Sequence, residues 1–203
     1  MKAAITAIGG YVPEYVLTNS ELESMVDTND EWITTRTGIK ERRILKPEEG
    51  RGASYLAIKA VEAMKKEYGV RVDDVDLVIL ASVTVDMPVA ITSAYIAQEI
   101  GATNAYAFDL QAACSSFLYA VSNAAAYIES KKYKKVLVVG SDVMSSIVDY
   151  TDRTTCILFG DGCGVALMEP NEEDLGVQDE LLRTDAVGRD FLRIEAGGSF
   201  LPP

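Results

Sequence analysis

Residues 105–142, AYAFDLQAACSSFLYAVSNAAAYIESKKYKKVLVVGSD, alternate between two kinds of apolar pattern. A short strand-like run covers 105–110, an alanine-rich helical stretch follows Cys114 as far as about Ser130, and 134–142 is a near-continuous apolar run. Continuous apolar runs are typical of strands that are buried on both faces of a sheet. This stretch therefore predicts a strand, a helix and a second strand, the repeating unit of a parallel sheet.

The same alternation extends outward in both directions. Ser20 with Glu23, and Thr28 with Glu31, match the capping-box pattern of helix starts. A strand that begins at Ala3 is expected to end before the two glycines at 9 and 10, and Gly69 is a plausible helix C-cap. The further predicted elements are strands at 3–8, 75–83 and 164–170 and helices at 20–26, 29–36, 53–68 and 91–100. We expect an α/β architecture with a mostly parallel mixed sheet flanked by helices.

Composition limits the function classes. A chain of 203 residues that is 48% hydrophobic can bury a core as one domain or as one large half of a two-domain protein. The net charge of −12 argues against nucleic-acid binding. Three cysteines and no histidine argue against a disulfide framework and against a metal site. No apolar run is long enough for a membrane span or a signal peptide, so we expect a cytoplasmic protein with reduced thiols and no membrane partner.

Cys114 lies about four residues beyond the strand at 105–110, at the start of a helix. Ligands of open α/β sheets bind at such strand-to-helix junctions, and free backbone N–H groups there favour a thiolate and an oxyanion. Small neighbours, Ala112, Ala113 and Ser115, leave room for an acyl group. Two interpretations of Cys114 stay open, a nucleophile and a small buried residue. Free cysteines are commonly small buried residues, and thiol-based acyl chemistry usually needs a nearby base.

Three further features are weighed in the same way. Residues 36–51 carry six basic and three acidic side chains, which indicates either a solvated loop or a small anionic-ligand site. The glycines of FGDGCG (159–164) precede a strand, so they favour a tight turn with close packing over a phosphate-binding loop. Cys156 and Cys163 lie in apolar runs and are predicted to be core residues.

The segment DLQAACSSFLYAV (109–121) resembles the active-site segment of β-ketoacyl-[acyl-carrier-protein] synthase III, a thiolase-superfamily condensing enzyme. Three other blocks resemble the same family in the same order. They are TNSELESMVDTNDEWITTRTGIKERRI (18–44), DMPVA (86–90) and VVGSDVMSSIVDYTDRTTCILFGDGCGVALM (138–168). The resemblance thus spans essentially the whole chain.

The resemblance implies a thiolase-like fold built from two similar α/β halves. Residues 1–170 would form the N-terminal half, which carries the nucleophile, and 171–203 would begin the connection to a C-terminal half outside this chain. The end of the chain, FLRIEAGGSFLPP, stops in a loop-like stretch and hints at a fragment. In this family the catalytic histidine and asparagine come from the second half. We therefore expect these 203 residues to be inactive in condensation by themselves.

The resemblance also implies a reaction and its residues. Cys114 would take an acyl group from acetyl-CoA or a related acyl-CoA and pass it to malonyl-acyl carrier protein, giving a 3-oxoacyl-acyl carrier protein, CoA and CO2. For the CoA, Trp32 would stack on the adenine with Arg153 on the other face, Arg36 would contact the phosphates, and Thr28, the helix cap, would lie at the adenine rim.

The implied partners are acyl-CoA, which is a substrate and not a cofactor, acyl carrier protein, and a second copy of the chain in a homodimer. Met87 and Val89 would lie on the loop that crosses the dimer interface toward the acyl pocket. Alternatives are another condensing enzyme, such as a hydroxymethylglutaryl-CoA synthase or a secondary-metabolite ketosynthase, or a non-catalytic CoA-binding fragment. The DEWI and RTGI blocks (30–33 and 36–39) favour the synthase III family.

Overall fold

A computed structural model describes residues 1–202. The chain folds into alternating strands and helices, with short 3-10 turns at Ala113–Ser115, Met144–Ser146 and Ala186–Asp190. In chain order the elements are β1 (Lys2–Tyr11), β2 (Val16–Thr18), α1 (Asn19–Leu22), α2 (Asp30–Thr37), β3 (Glu41–Arg43), α3 (Gly52–Tyr68), β4 (Leu77–Ala81), α4 (Thr92–Glu99), β5 (Tyr106–Leu110), α5 (Ser116–Glu129), β6 (Val136–Val143) and β7 (Asp161–Asn171).

The main sheet has five strands in the order β1-β7-β6-β4-β5, and β2 pairs with β3 in a separate small ribbon. Strand β4 runs parallel to β5 and β6, whereas β7 runs antiparallel to β6 and β1. The α/β class and the mixed sheet are confirmed, although half of the pairings, and not most, are parallel. The reason is that β7 follows β6 through a connection without a crossover α-helix, and a parallel return requires such a crossover.

Two apolar layers enclose this sheet. Helices α3 and α4 pack on one face with alternate strand residues such as Val78 and Leu137. Helix α5 packs on the other face with the intervening residues, such as Leu77 and Val138. This alternation follows the two-residue period of a strand and explains why β4 is fully buried.

Strand β1 corrects one prediction. The strand does not end before the two glycines but continues through them to Tyr11. A Cβ atom at Gly9 would come within 2.4 Å of the Ala60 carbonyl oxygen and 2.7 Å of the Met64 Cβ. Gly9 is therefore required because α3 crosses β1 closely, and not because the chain turns there.

The helix starts also differ from the predicted caps. Thr18 caps α1 by accepting from the backbone N–H of Glu21, and Asn29 caps α2 by accepting from that of Trp32 at 2.7 Å. The assignments of Ser20 and Thr28 as caps are wrong. For α1 the capping side chain, Thr18, precedes the predicted one, whereas for α2 the capping side chain, Asn29, follows it. Sequence spacing alone does not choose between neighbouring candidates. The C-cap at Gly69 is confirmed, with a left-handed φ of 66°.

After β7 the chain lies on the surface. Residues 172–202 are almost entirely exposed and contain only one 3-10 turn as regular structure. Val177 donates its backbone N–H to the Ala3 carbonyl, and the Tyr119 hydroxyl donates to the Arg183 carbonyl. The division of the chain near residue 170 remains a prediction. None of the helices within residues 1–202 has the length and apolar character needed to cross a membrane.

Candidate active site

Cys114 lies at the junction of β5 and α5. The strand ends at Leu110, the 3-10 turn contains the cysteine, and α5 begins two residues later. Ala113 has a φ of 48°, so the backbone enters the left-handed region directly before the cysteine. Cys114 is a free and exposed thiol, which contradicts the alternative of a small buried residue.

Helix α5 reaches this position because it approaches the sheet closely. Its buried face is made of small residues, among them Ala120 and Ala124, which contact no solvent. At its first turn the Phe117 ring covers Gly140 of β6, where a Cβ atom would come within 2.9 Å of the ring. The distance between the start of this helix and the sheet is therefore set by closely packed side chains.

Two carboxylates without a predicted role hold the two ends of the loop between β4 and α4. Asp109, at the end of β5, accepts from the backbone N–H groups of Thr92 and Ser93 at 2.9 and 2.8 Å. Asp142, at the end of β6, accepts from the Ser82 hydroxyl and from backbone N–H groups, including that of Val83 at 2.9 Å. The available signal was their position at strand carboxyl ends, where α/β sheets concentrate their functional loops.

The loop that these carboxylates hold presents apolar side chains outward. Met87 is 61% exposed, and Val89 is fully exposed with a φ of 74°. A β-branched residue in the left-handed region is strained. Tyr106 on β5, a strand at the edge of the sheet, is also exposed.

The structure brings together three of the residues proposed to bind CoA. The Arg36 guanidinium carbon lies 4.4 Å from the centroid of the Trp32 ring, and that of Arg153 lies 5.8 Å from it. The ring is half-buried and packs against the apolar cluster that contains Ile33. The buried part of the Trp32 ring thus anchors its helix, and the exposed part is accessible to a ligand. Asp27 accepts from Arg153 at 3.1 Å.

Thr28 lies directly before the α2 cap, near the same group. Its hydroxyl oxygen is buried and has no hydrogen-bond partner among residues 1–202. Buried hydroxyl groups are ordinarily paired, so this oxygen has unused hydrogen-bonding capacity beside α2.

The basic residues of 36–51 do not form one anion-binding surface. Arg42 is 4% exposed and donates to the Ile157 carbonyl from Nε, at 2.9 Å, and from Nη2. Its Nη1 donates to the Asn19 side-chain oxygen. Burial lowers the pKa of this guanidinium. Arg43 donates to the Pro13 carbonyl, so only Arg36 of this segment faces the tryptophan.

Cys156 and Cys163 are core residues, as predicted, but the glycines of 159–164 do not form the expected tight turn, because β7 already begins at Asp161. Cys156 and Cys163 are buried, and desolvation raises the pKa of both thiols, that of Cys163 to about 12. Gly162 and Gly164 lie within β7, and a Cβ atom at Gly160 would come within 3.0 Å of the Arg43 carbonyl oxygen. Within residues 1–202, no group of three or more histidine, cysteine, aspartate or glutamate side chains is placed to hold a metal ion.

The chain is similar in sequence to known proteins of the synthase III family. Residues 108–186 match the family model of 3-oxoacyl-[acyl-carrier-protein (ACP)] synthase III. The chain is 55% identical over 203 residues to β-ketoacyl-[acyl-carrier-protein] synthase III 2 of Bacteroides thetaiotaomicron, covering 100% of this chain and 60% of that protein.

Solved structures show the same fold. The synthase III from Thermus thermophilus superposes with a TM-score of 0.88 and 42% identity, over 92% of this chain and 57% of that one. The enzyme from Aquifex aeolicus gives 0.80 and 44%, over 84% and 54%. The fold is therefore thiolase-like, and the chain spans about 60% of the length of its relatives. These similarities extend over the whole chain and support its assignment to the β-ketoacyl-[acyl-carrier-protein] synthase III family, about 60% of whose length it spans.

Proposed function

We propose that this chain is the acyl-accepting part of an enzyme that initiates fatty acid synthesis. In this proposal Cys114 takes the acyl group of acetyl-CoA or a related acyl-CoA and then passes it to malonyl-acyl carrier protein. The observation that carries the proposal is the exposed Cys114 thiol at the mouth of α5, in a segment that matches the synthase III family model.

The first step is a thioester exchange. The Cys114 thiolate attacks the thioester carbonyl of acyl-CoA, the C–S bond to CoA breaks, and the CoA thiolate leaves and takes up the proton. Backbone N–H groups at the start of α5 would stabilise the oxyanion that develops on the thioester carbonyl. The small side chains that flank the cysteine leave the thiol accessible to the acyl group.

The second step forms the carbon–carbon bond. Decarboxylation of malonyl-acyl carrier protein gives a carbanion, which attacks the Cys114 thioester and releases the 3-oxoacyl-acyl carrier protein and the cysteine thiolate. The 203 residues contain no histidine. We therefore assign the histidine and asparagine of this step to a part of the protein outside these residues, and we expect the chain alone not to condense.

The group around Trp32 would bind the nucleotide end of CoA. The exposed part of the ring would stack on adenine, with Arg153 across the ring and Arg36 toward the phosphates. Thr28, whose hydroxyl lacks a partner in the described chain, would bond to the rim of the base. The convergence of two guanidinium groups on one indole supports this assignment.

The dimer would form at the sheet edge that ends in β5. Met87 and Val89 lie on a loop that two carboxylates hold outward, and the edge strand offers unpaired backbone groups. A loop placed in this way would reach the acyl pocket of a second copy. We place the enzyme in the cytoplasm, where acyl-CoA and acyl carrier protein meet.

Intact-mass measurement tests the function. The protein encoded by the complete reading frame is incubated with acetyl-CoA and then with malonyl-acyl carrier protein. We expect a mass gain of one acetyl group that the second substrate removes, that Cys114→Ala abolishes and that Cys156→Ala retains. An adduct that persists in Cys114→Ala would overturn the proposal. Binding of CoA without any adduct would instead support a non-catalytic CoA-binding role.

A further inference from the structure

We infer that Asn19 and Arg42 are positioning residues for the nucleotide end of the acyl-CoA site. The inference rests on the proposed function. Neither side chain takes part in the acyl transfer, and both are buried, at 2% and 4% exposure. They form a chain of polar contacts from Asp30 through Asn19 and Arg42 to Ile157, named here the Asn19 relay.

The first half of the relay fixes both ends of α2. The Asn19 side-chain nitrogen donates to the Asp30 carboxylate at 2.7 Å and to the Ile39 carbonyl at 2.8 Å. Asp30 is the first residue of α2, and Ile39 directly follows its C-cap glycine. Trp32 and Arg36 lie on the helix between these two points. The buried Asn19 amide thus positions the side chains of Trp32 and Arg36.

The second half fixes the segment that carries Arg153. Arg42 donates from two nitrogens to the Ile157 carbonyl and from Nη1 to the Asn19 side-chain oxygen. Between Arg153 and Ile157 the chain is a tight turn, in which Cys156 donates its N–H to the Asp152 carbonyl and the Asp152 carboxylate accepts from Thr154 at 2.9 Å. Such a turn transmits the position of residue 157 to residue 153.

The composition of the relay also requires an explanation. A buried guanidinium ordinarily has a carboxylate partner, yet none of the ion pairs within residues 1–202 involves Arg42. A packed apolar pair would fill the space without this desolvation penalty. The donor fork of arginine, however, reaches a carbonyl and an amide oxygen on two segments at once. Joining the two segments that converge on Trp32 is the role that this geometry serves.

The test compares two acetyl donors in the protein encoded by the complete reading frame. Acetyl-CoA carries the nucleotide end, whereas acetyl-pantetheine lacks it. Asn19→Asp keeps an oxygen for Arg42 but loses the N–H groups that bind Asp30 and Ile39. We expect a rise of about 10-fold in KM for acetyl-CoA with kcat nearly unchanged, and a change below about 2-fold with acetyl-pantetheine, since loss of one charge-assisted hydrogen bond has this magnitude.

Two additions keep the test decisive. In Arg42→Lys the side chain has a single nitrogen, which cannot reach both acceptors. This variant should weaken inhibition by adenosine 3′,5′-bisphosphate, which is the nucleotide end alone, by a similar factor. The matched control is Asn171→Asp at the end of β7, which keeps its acceptor role toward the Glu173 N–H. This variant should leave KM and kcat for both acetyl donors unchanged.

Equal loss with both donors, or no loss with either, overturns the inference, because a merely structural residue acts on both. If the wild-type protein does not use acetyl-CoA, the proposed function itself is overturned. The wild-type reaction alone shows this outcome, so it is distinguished from failure of the inference. Thermal midpoints of all variants identify any variant that fails to fold, and the other relay variant then decides.

Discussion

The Phe117 ring lies against Gly140, and a Cβ atom at residue 140 would come within 2.9 Å of its Cδ2 atom. This contact occurs three residues after Cys114, at the first turn of α5, where the helix crosses β6. The glycine in one element therefore determines how close the other element, and with it the thiol, lies to the sheet.

Gly140→Ala should displace the Phe117 ring and the start of α5. We expect a loss of about 1–2 kcal/mol in the free energy of unfolding, as for other overpacked sites, together with slower acylation of Cys114. Urea denaturation and the rate of acetyl transfer measure the two effects. Gly164→Ala is the matched control, because no atom lies within 4 Å of its added Cβ. Equal stability of the two variants would contradict this account of helix placement.

Neighbouring glycines in β1 give a second matched pair. Gly9→Ala places a Cβ atom 2.4 Å from the Ala60 carbonyl oxygen, so α3 must shift away from the sheet. We expect this variant to lose about 2–3 kcal/mol of stability, at the upper end for overpacking, because a backbone atom is the obstacle. Gly10→Ala meets only the Cys163 carbonyl at 3.4 Å and should stay within about 0.5 kcal/mol of wild type. A reversed order in denaturation would exclude this packing model.

Alkaline pH should destabilise the fold through Cys163. Burial raises the pKa of this thiol from its ordinary value of 9.0 to about 12, so the folded state retains a proton that the unfolded state has lost. Its contribution to stability is complete below pH 9 and declines as pH rises from 9 to 12, by up to about 1.4 kcal/mol per pH unit. Urea unfolding between pH 8 and 10.5 should show a shallower decline for Cys163→Ala than for Cys114→Ala. Identical slopes would remove this thiol as the cause.

CoA binding should respond in opposite directions to two residues that pair with each other. Arg153→Ala and Trp32→Ala each remove part of the nucleotide contact and should weaken CoA binding about 10-fold. Asp27→Asn removes a carboxylate that competes for Arg153 at 3.1 Å and should tighten binding about 2-fold. Calorimetric titration of the complete protein measures all three. Arg71→Ala, which removes an exposed arginine paired with Asp73, is the control, and unchanged affinity in the first two variants would reject the site.

Self-association should depend on Val89. Val89→Asp places a charge at the tip of the exposed loop, while aspartate tolerates the left-handed φ of 74° better than valine does. We expect the dissociation constant of the dimer to increase at least about 10-fold without a loss of folding stability, because a buried unpaired charge disfavours the interface. Analytical ultracentrifugation compares this variant with Val187→Asp, which alters an exposed valine in the segment after β7. Equal dissociation of both variants would argue against a loop-mediated dimer.

Features with a strong periodic signal were predictable from the sequence. The apolar runs of β4 and β6 and the helical spacing of α3 and α5 gave these elements within a few residues. Trp32, Arg36 and Arg153 were grouped by family resemblance, and both guanidinium groups lie close to the indole ring.

What escaped prediction depends on contacts between segments that are distant in the chain. The role of Gly9 follows from where α3 crosses β1, which no local pattern contains. Asn19 and Arg42 look like surface residues because their type is usually exposed, yet their acceptors lie in other elements. The antiparallel return of β7 depends on the connection of 144–160, whose sequence predicts no crossover helix but does not specify the pairing direction.

The contact between Arg42 and Ile157 spans 115 positions in the chain. A ribosome that has made only the first hundred residues has supplied the tryptophan and its helix but neither the turn with Arg153 nor the carbonyl that holds Arg42. The nucleotide pocket therefore cannot form before residue 157 is made, and a nascent chain stalled before that residue should expose an unpaired arginine beside apolar surface. Exposed apolar surface of this kind makes an unfinished chain prone to aggregation.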